Sequence, residues 1–257
     1  MKTALVTGGA QGVGFATATL LGRLGYRVVL LDVKTLDARV RQLQDAGTQA
    51  IGIAGDVASE SFVLELAARV ARDYGALDAL VNNAGISLIA PAESISAAQW
   101  QQVMNVNLFG PFLLCKYLGA QMLSRGQGSI VNVASVAGLS GIAHRSAYNA
   151  SKHGLIGLTR TLASEWGGRG VRVNAVCPGW IKTEMDVADQ GAGAYSDADI
   201  MNRVPMGRFA SPEDVAQAIA SLLDSERSAF INGVALPVDG GWTADGGWES
   251  LRVRARS

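Results

Sequence analysis

Short apolar runs of strand length alternate with helical stretches along almost the whole chain, and this alternation constrains the fold most strongly. The seven runs lie at residues 3–7, 28–31, 50–54, 77–81, 129–133, 171–176 and 234–238. A continuous apolar run is typical of a strand that is covered on both faces, as in a parallel sheet. Strands separated by helices form βαβ units. We therefore expect an α/β fold with one doubly wound, seven-stranded parallel sheet and helices on both faces.

Periodic apolar residues and capping side chains predict the helices between the strands. Ser59 and Ser211 are suitable N-caps, and Pro212 is typical of a first helical position. Pro111 lies inside the longest predicted helix and predicts a kink there. Periodicity predicts further helices at about residues 15–24, 97–123 and 147–166.

No composition break or linker divides the chain, so we expect residues 1–257 to form a single domain. Residues 180–210 are irregular and too long for an ordinary connection, which favours a substrate lid. Residues 242–257 are expected to form a C-terminal tail. Trp242 and Trp248 have no obvious burial site in this polar, glycine-rich tail, so our hypothesis is that they pack on a neighbouring subunit.

Charge and composition argue against several classes of protein. The 22 basic and 22 acidic residues balance to a net charge of zero, whereas a dedicated nucleic-acid binder usually carries a basic excess. No apolar run approaches the ~18 residues of a membrane span. His144 and His153 stand apart from any acidic or cysteine cluster, so no metal site is expected. Cys115 and Cys177 have neither disulfide nor metal-ligand spacing, which indicates a reduced, cytoplasmic protein.

A glycine-rich turn joins the first strand to the first helix at residues 7–14. Its glycine spacing is G-x-x-x-G-x-G. Glycines let the backbone turn tightly against phosphates, and the helix N-terminus offers N–H groups. Asp32 ends the second strand, where its carboxylate can accept both ribose hydroxyls of an adenosine and repel a 2′-phosphate. Gln11 supplies no cation for such a phosphate, although Lys34 lies nearby. These residues predict a dinucleotide site that prefers NAD to NADP.

Tyr148 and Lys152 lie four residues apart at the start of a predicted helix and therefore share one face. Ser135 follows the fifth strand, and the carboxyl ends of parallel strands face the ligand crevice. The pKa of an isolated tyrosine is about 10, and an adjacent ammonium lowers it because it favours the phenolate. Tyr148 can then take the proton of an alcohol as hydride leaves, while Ser135 hydrogen-bonds the substrate oxygen. The three residues predict an alcohol/carbonyl redox site.

Because of these residues and of further motifs, the chain resembles the short-chain dehydrogenase/reductase family over nearly its whole length. Several independent motifs of the family occur here in the family's order. They are T-G-x-x-x-G-x-G at residues 7–14, an Asp-Val pair at 56–57, N-N-A-G at 82–85, a triad at Ser135, Tyr148 and Lys152, and P-G-x-I-x-T at 178–183. The resemblance implies a Rossmann-type fold in a single-domain subunit. It also implies a homotetramer, or a homodimer, with interfaces built from the long helices.

The resemblance further implies a role for each matching residue. Asn107 falls where the family has a catalytic asparagine that holds a water in a proton relay from the lysine, with Asn105 as the competing choice. The other catalytic residues are Ser135, Tyr148 and Lys152. The residues implied in coenzyme binding are Gly8, Gln11, Gly12, Val13, Gly14, Asp32, Val33, Asp56, Val57, Asn83, Ala84, Gly85, Tyr148, Lys152, Pro178, Gly179, Ile181 and Thr183. We expect the substrate to lie against Ser135, His144, Tyr148, Trp180 and Met185.

We therefore expect an NAD(H)-dependent oxidoreductase that interconverts a secondary alcohol and a ketone on a small polyol, sugar or hydroxy compound. Three alternatives stay open. One is an NADPH-dependent 3-oxoacyl-[acyl-carrier-protein] reductase, against which Asp32 and Gln11 argue. Another is a noncatalytic cofactor-sensing or scaffold protein on the same fold, against which the intact Ser135, Tyr148 and Lys152 argue. The third is an epimerase or dehydratase that uses bound NAD.

Overall fold

Seven parallel strands form the central sheet in the order β3-β2-β1-β4-β5-β6-β7. The computed structural model describes residues 1–182 and 196–247. The strands are β1 (Thr3–Thr7), β2 (Arg27–Asp32), β3 (Ala50–Ala54), β4 (Ala79–Asn82), β5 (Gly128–Val133), β6 (Val171–Pro178) and β7 (Ala235–Val238). Each predicted apolar run therefore overlaps a strand, and the expected α/β architecture, with one parallel sheet in one domain, is confirmed.

Helices cover both faces of the sheet. They are α1 (Gly12–Arg23), α2 (Asp37–Asp45), α3 (Glu60–Tyr74), α4 (Ala97–Met104), α5 (Gly110–Leu114), α6 (Ala120–Arg125), α7 (Ser146–Trp166), α8 (Asp197–Arg203) and α9 (Pro212–Leu223). The sequence pattern did not predict α2, which buries only Leu43 and so carries little apolar periodicity. It did not predict α8 either, which lies within the stretch expected to form a lid. No helix in the described ranges is long and apolar enough to cross a membrane.

Two predicted N-caps are confirmed. The Ser59 side chain accepts a hydrogen bond from the Phe62 N–H at the start of α3. Ser211 caps α9 through the N–H of Asp214, and the Asp214 carboxylate accepts the Ser211 N–H in return. Such reciprocal capping satisfies two N–H groups that a helix start otherwise leaves unpaired.

The helical stretch at residues 97–125 continues through Pro111, where a kink was predicted. Two π-helical segments, Asn105–Phe109 and Cys115–Gly119, join α4, α5 and α6. The residues directly before Pro111 keep right-handed helical dihedral angles. Because a π turn takes up more residues than an α turn, it changes which side chains face the sheet. The first π segment contains Asn107.

Alternate residues along each strand serve two separate apolar layers. Leu5 and Leu31 belong to the layer that is covered by α3, α5 and α7. Val6 and Leu30 belong to the opposite layer, which is covered by α1 and α9. Successive strand side chains point to opposite faces of a sheet. Burial of both faces is therefore the physical reason for the continuous apolar runs in the sequence.

The first part of the C-terminal tail packs on α8 of the same chain. The Arg203 guanidinium lies 5.0 Å from the ring centroid of Trp242, and its Nη1 is 3.3 Å from Oδ2 of Asp245. Trp242 is half-buried by this arrangement. The chain therefore covers part of the Trp242 ring itself, and packing of Trp242 on a neighbouring subunit stays a prediction. Trp248 lies outside the described residues.

The sheet order changes direction between β1 and β4, which is where an α/β sheet of this kind opens a crevice. The two strand ends are tied together. The Thr7 hydroxyl oxygen accepts the N–H groups of Asn83 and Ala84, both at 2.9 Å. The Asn83 side chain donates from Nδ2 to the carbonyl oxygen of Thr7, also at 2.9 Å. These bonds hold the turn after β1 against the segment that follows β4.

Candidate functional site

A cleft of about 770 Å³ opens at the carboxyl ends of the strands. Its volume lies in the range of small-molecule and cofactor sites. The predicted site residues that line it are Gly8, Gln11, Gly12, Val13, Asp32, Val33, Asp56, Val57, Asn83, Ala84, Gly85, Ser135, Tyr148, Lys152, Pro178, Gly179, Trp180 and Ile181. The structure thus brings together motifs that are distributed over most of the chain.

The turn after β1 brings backbone rather than side chains to the floor of the cleft. Gly8 and Gly12 have φ angles of +65° and +52°, a region that favours glycine. A Cβ atom on Gly8 would lie 2.7 Å from Nδ2 of Asn83. Gly14 does not line the cleft, and a Cβ there would lie 2.6 Å from the same nitrogen. Glycine at these positions therefore permits the close approach of α1, the turn and Asn83.

The N-terminus of α1 faces the cleft. Gln11 is its N-cap residue, and the Gln11 side chain makes no capping hydrogen bond to the helix. The first turn contains no acidic residue. A helix N-terminus carries a positive partial charge and presents N–H groups, so it favours an anion. This end of the cleft can therefore bind a phosphate.

The carboxylate of Asp32 is held in one orientation at the edge of this turn. Its Oδ2 accepts the N–H of Ala10 and its Oδ1 accepts the N–H of Lys34, both at 3.0 Å. The Lys34 side chain reaches across and donates from Nζ to Oε1 of Gln11 at 2.5 Å. Arg39 donates from Nε to the Ala10 carbonyl at 2.9 Å. Asp32 therefore shares this end of the cleft with the cation Lys34, and Arg39 binds the backbone of the same turn.

Tyr148 and Lys152 lie one turn apart at the start of α7, as their spacing predicts. Nζ of Lys152 lies 5.6 Å from the centroid of the Tyr148 ring and donates to the Val133 carbonyl oxygen at 2.7 Å. Burial lowers the pKa of the Lys152 ammonium to about 8, because the charged form loses its solvation. This lysine can therefore exchange a proton much closer to neutral pH than an exposed lysine can.

Ser135 stands at the end of β5 and begins a short 3₁₀ helix, Val136–Gly138. Its hydroxyl oxygen accepts the N–H of Ala137 at 3.1 Å, which orients the side chain. A Cβ on Gly138 would lie 2.8 Å from the Lys152 carbonyl oxygen. Glycine therefore allows this short helix to pack directly on α7, and Ser135 lines the same cleft as Tyr148 and Lys152.

Asn107 lies behind the cleft wall rather than on it. It is fully buried, and its amide pairs with the backbone of Ile86. Nδ2 donates to the Ile86 carbonyl and Oδ1 accepts the Ile86 N–H, each at 2.9 Å. Nδ2 also lies 3.2 Å from Oγ of Ser151. Asn105, the competing choice, instead accepts a hydrogen bond from the neighbouring Gln101 side chain.

Asn107 and Lys152 approach the same point behind Gly85. A Cβ atom on Gly85 would lie 3.3 Å from Oδ1 of Asn107 and 3.6 Å from Nζ of Lys152. The π-helical segment determines the direction in which the Asn107 side chain points, and α7 determines the direction of the Lys152 side chain. A side chain at position 85 would therefore crowd both groups.

The wall beside Tyr148 contains a buried arginine that sequence reasoning did not assign to the site. Arg145 is only 7% exposed and lines the cleft. It donates from Nη1 to Oγ of Ser87 at 3.0 Å. Its guanidinium carbon lies 5.4 Å from the Trp180 ring centroid and 6.0 Å from that of Tyr148. Its position three residues before Tyr148, at a helix start, is the signal that could have identified it.

Some predicted residues are not brought to the cleft. The His144 side chain is exposed and does not line it, whereas the neighbouring Arg145 does. Thr183 and Met185 lie outside the described residues. Ser87 and Gln102 line the cleft without having been predicted, because no local motif marks either of them.

Known proteins resemble this chain along most of its length. A family model described as enoyl-(acyl carrier protein) reductase matches residues 8–243. The chain is 41% identical over 244 residues to D-threitol dehydrogenase of Mycolicibacterium smegmatis, covering 94% of this chain and 93% of that protein. It is 43% identical over 245 residues to cis-4-hydroxycyclohexanecarboxylate dehydrogenase of Sinomonas cyclohexanicum, covering 95% and 97% respectively.

A solved structure shows the same fold. It is a variant of actinorhodin polyketide ketoreductase with NADPH, which is 37% identical to this chain with a TM-score of 0.90. The match covers 94% of this chain and 97% of that structure. Sequence and structure thus match proteins that are named as dehydrogenases or ketoreductases.

Proposed function

Since the chain belongs to the short-chain dehydrogenase/reductase family, we propose that it is an NAD(H)-dependent enzyme that interconverts a secondary alcohol and a ketone. Members of the family are oxidoreductases that use a nicotinamide coenzyme and act on hydroxy compounds, and that broader description holds for this chain. One observation carries the finer proposal. Ser135, Tyr148 and Lys152 line one end of a cleft whose other end is a glycine-rich turn.

The residues of the turn fit a dinucleotide. A pyrophosphate needs close backbone approach and available N–H groups, and the turn provides both. A Cβ on Gly8 would clash with Asn83 at 2.7 Å, so only glycine lets the turn keep this shape. We propose that the coenzyme is held by Gly8, Gln11, Gly12, Val13, Asp32, Val33, Asp56, Val57, Asn83, Ala84, Gly85, Tyr148, Lys152, Pro178, Gly179 and Ile181, with Gly14 supporting the turn and Thr183 contributing from outside the described residues.

Three side chains carry the proton chemistry. When it is bound, the nicotinamide coenzyme supplies the acceptor or donor of hydride. The Tyr148 phenolate takes the alcohol proton during oxidation, and the resulting hydroxyl returns a proton to the substrate oxygen during reduction. Lys152 favours the phenolate form of Tyr148 because its ammonium lies near the ring. Ser135 donates its O–H to the substrate oxygen and stabilises the negative charge that develops there.

Asn107 is proposed to act through Lys152. It fixes the backbone of Ile86 by two hydrogen bonds and approaches Lys152 behind Gly85. A buried lysine with a pKa of about 8 can pass a proton to Tyr148 and regain one from solvent. The resemblance to the family implies a water held by Asn107 on that route. Asn107 thus completes the proposed catalytic set with Ser135, Tyr148 and Lys152.

The preference for NAD is proposed from Asp32. Its carboxylate is fixed by the N–H groups of Ala10 and Lys34 at the cleft edge. A carboxylate in this place can accept ribose hydroxyls and repels a 2′-phosphate. Lys34 and Arg39 oppose this effect. We expect the preference to be a difference in kcat/KM rather than strict exclusion of NADP.

The substrate is proposed to be a small polyol, sugar or other hydroxy compound. Two similar proteins are named for the oxidation of D-threitol and of cis-4-hydroxycyclohexanecarboxylate. Trp180 and Ile142 line the cleft near Tyr148 and provide apolar contact for the carbon skeleton. Met185 is proposed to contribute as well, although it lies outside the described residues.

A spectrophotometric screen tests this function. Secondary alcohols, including threitol, cis-4-hydroxycyclohexanecarboxylate and simple cyclic diols, are supplied with NAD and, in parallel, with NADP. We expect reduced coenzyme to form with at least one alcohol and kcat/KM to be higher with NAD. Higher kcat/KM with NADP would contradict the coenzyme assignment. The absence of turnover with every alcohol and ketone, despite coenzyme binding, would contradict the enzymatic proposal and favour a noncatalytic binding protein.

A second candidate is an NADPH-dependent reductase of 3-oxoacyl groups carried on a carrier protein. The cations Lys34 and Arg39 beside the turn favour it, and so does the NADPH-containing structural relative. Oxidation of NADPH by a 3-oxoacyl thioester, measured beside the alcohol screen, distinguishes the two. A kcat/KM for the thioester well above that of every alcohol would favour this candidate.

We also propose self-association, as a homotetramer or a homodimer. Phe109 and Phe112 lie stacked on the long helical stretch with ring centroids 6.0 Å apart, and each is 40% exposed. Apolar area of this kind marks contact surfaces. Light scattering measures the oligomeric mass, and a monomer would contradict the proposal. A reducing, cytoplasmic location remains a prediction, with Cys115 and Cys177 both buried as free thiols.

A further inference from the structure

Three buried hydrogen bonds connect β4 to α7 by way of β5. Nδ2 of Asn82 donates to Oδ1 of Asn132 at 2.8 Å. Nδ2 of Asn132 then donates to Oγ1 of Thr159 at 2.8 Å, and the Thr159 hydroxyl donates to the Leu155 carbonyl oxygen at the same distance. Asn132 and Thr159 are fully buried, and neither lines the cleft. Both ends of the Asn132 amide are therefore held, one by a strand and the other by a helix.

The same strand and helix meet again at the proposed reaction centre, where Nζ of Lys152 donates to the Val133 carbonyl oxygen at 2.7 Å. The N–H of the same peptide unit, from Ala134, bonds to Val176 in β6, so the carbonyl oxygen points to the opposite side, toward β4. The pairing of β4 with β5 ends one position earlier, at Asn82, and leaves this oxygen available. The position of the ammonium therefore depends on how α7 lies along β5.

Both contacts lie on the face of α7 that packs on the sheet. Lys152 and Thr159 are about two helical turns apart, and their partners Asn132 and Val133 are adjacent on β5. The buried residues between them on this face are apolar, namely Leu155 and Ile156. Apolar contact is non-directional, whereas a hydrogen bond requires a narrow range of distance and angle. The bond between Asn132 and Thr159 can therefore fix the register of α7 on β5, which the apolar contacts cannot do.

We propose that Asn132 and Thr159 are positioning residues, whose hydrogen bond holds α7 in the register at which Lys152 and Tyr148 act. The inference rests on the proposed oxidoreductase function and adds two residues that act through Lys152. Reacting groups must be held within about 0.5 Å of the productive geometry. A displacement of about 1 Å that is caused by a distant substitution can lower the rate roughly 100-fold. Loss of this buried bond should therefore lower turnover.

Thr159→Val is the main test, because it removes the hydroxyl and nearly retains the shape of the side chain. Asn132 then loses its acceptor, and α7 loses its directional bond to β5. We expect kcat for the alcohol that the wild type oxidises fastest to fall about 10- to 100-fold. The KM for the coenzyme should stay nearly unchanged, since neither residue lines the cleft. Thr159→Ser keeps the hydroxyl and should recover most of the lost kcat.

Thr161→Val is the matched control. Thr161 lies on the same helix, and its hydroxyl donates to the carbonyl oxygen four residues earlier, that of Gly157, at 3.2 Å. Its side chain is exposed. The control thus removes the same kind of bond within the helix as Thr159→Val does, but no bond to β5. It should leave kcat unchanged.

The pH profile of kcat/KM separates positioning from support of the fold. Burial lowers the pKa of Lys152 to about 8. Among the described residues, the ionisable groups that face Lys152 are Tyr148 on α7 and Cys177 on β6, and Arg145 lies 6.0 Å from the Tyr148 ring centroid. Thr159→Val leaves all of these groups in place.

A displaced α7 would move the ammonium away from the phenolate, which raises the pKa of Tyr148, and would admit water to Lys152, which raises its pKa as well. The acid limb of the profile for alcohol oxidation should therefore shift to higher pH in Thr159→Val and not in Thr161→Val. A smaller folded fraction would lower the whole profile and leave its position unchanged.

A double variant tests whether lost stability alone explains the effect. Asn132→Leu combined with Thr159→Val replaces both partners by apolar side chains, which can be nearly neutral for stability, whereas one unsatisfied partner is costly. Asn82 retains the Cys115 sulfur at 3.4 Å. Thermal unfolding and coenzyme binding should show a folded protein, and kcat should stay low because the directional bond is still absent. This variant decides if Thr159→Val does not fold, and Thr159→Ala decides if neither does.

The outcomes separate this inference from the function on which it rests. The inference is overturned by an unchanged kcat in Thr159→Val, by an equal loss in Thr161→Val, or by recovery of kcat in the double variant. Thr159→Ser as slow as Thr159→Val, or a lower kcat with an unmoved pH profile, would make Thr159 a structural support and overturn it too. All of these results leave the oxidoreductase proposal standing. Absence of wild-type turnover with every alcohol and ketone contradicts the proposed function itself and this inference with it.

Discussion

Asn107 and Ile86 are joined by two hydrogen bonds of 2.9 Å, one in each direction between the Asn107 amide and the Ile86 backbone. The pair connects the π-helical segment of the long helix to the loop that follows β4. It lies directly behind Gly85, where Lys152 also approaches. A substitution of Asn107 should therefore change both the free energy of unfolding and the rate of the proposed proton transfer.

Asn107→Ala should lower both the free energy of unfolding and kcat. Both Ile86 backbone groups lose their partner in a buried place, which typically costs about 1–3 kcal/mol. We expect kcat to fall about 100-fold, within the usual contribution of acid–base catalysis. Denaturant unfolding and steady-state kinetics measure the two effects. Asn105→Ala, in the same π segment, is the control, and an equal loss of kcat in both variants would contradict the role of Asn107.

Tyr148→Phe should reduce kcat by about 10³-fold or more and leave coenzyme affinity nearly unchanged. The substitution removes the hydroxyl that exchanges the substrate proton and retains the ring that packs near Lys152 and Arg145. Turnover is measured by coenzyme absorbance, and binding by quenching of protein fluorescence. Turnover within tenfold of the wild type would refute the proton-transfer assignment.

The stability of the coenzyme-free protein should depend on pH through Lys152. Its folded pKa of about 8 is below the ordinary lysine pKa of 10.5, so between these values the unfolded chain binds more protons. Stability relative to Lys152→Met should therefore rise from pH 8 toward 10.5, by up to about 1.4 kcal/mol per pH unit. Below pH 8 both states hold the proton, and the cost of burying the charge is fully present.

Urea unfolding of wild type and Lys152→Met at several pH values measures this difference. Other titrating groups cancel to first order, because both proteins share them. A difference that stays constant between pH 7 and 10 would show that the Lys152 pKa is not lowered by burial.

Asp32→Asn should reduce the preference for NAD over NADP. Asparagine keeps an acceptor for one of the two N–H groups that Asp32 binds and removes the charge that repels a 2′-phosphate. We expect the ratio of kcat/KM for NAD to that for NADP to fall about 10-fold or more, a usual effect for a charged hydrogen-bond partner. Lys34→Met should raise the same ratio of NAD to NADP, because it removes a charge that attracts the 2′-phosphate. If both substitutions shifted the ratio in the same direction, the electrostatic explanation would be contradicted.

The seven strands, the helices that cover the core and two N-caps could be predicted because each depends on local patterns. Strands β2 and β6 require apolar side chains because both faces of the sheet are buried. The helix starts at Ser59 and Ser211 require a side chain that can bond a free backbone N–H. Few other side chains meet these requirements. The motifs around Gly8, Tyr148 and Lys152 predicted which segments would meet, since parallel strands end on one edge of a sheet.

The sequence by itself determined the α/β architecture and the segments that surround the cleft, because periodicity, glycine and capping chemistry act over a few neighbouring residues. Only the tertiary structure decided how Asn107 is oriented by a π segment, how far burial lowers the pKa of Lys152, and that Arg145 rather than His144 faces the cleft. The tertiary structure alone also decided that Arg203 packs against the Trp242 ring. The physical reason is that burial and long-range hydrogen bonds arise between segments that are distant in the chain, so no local pattern records them.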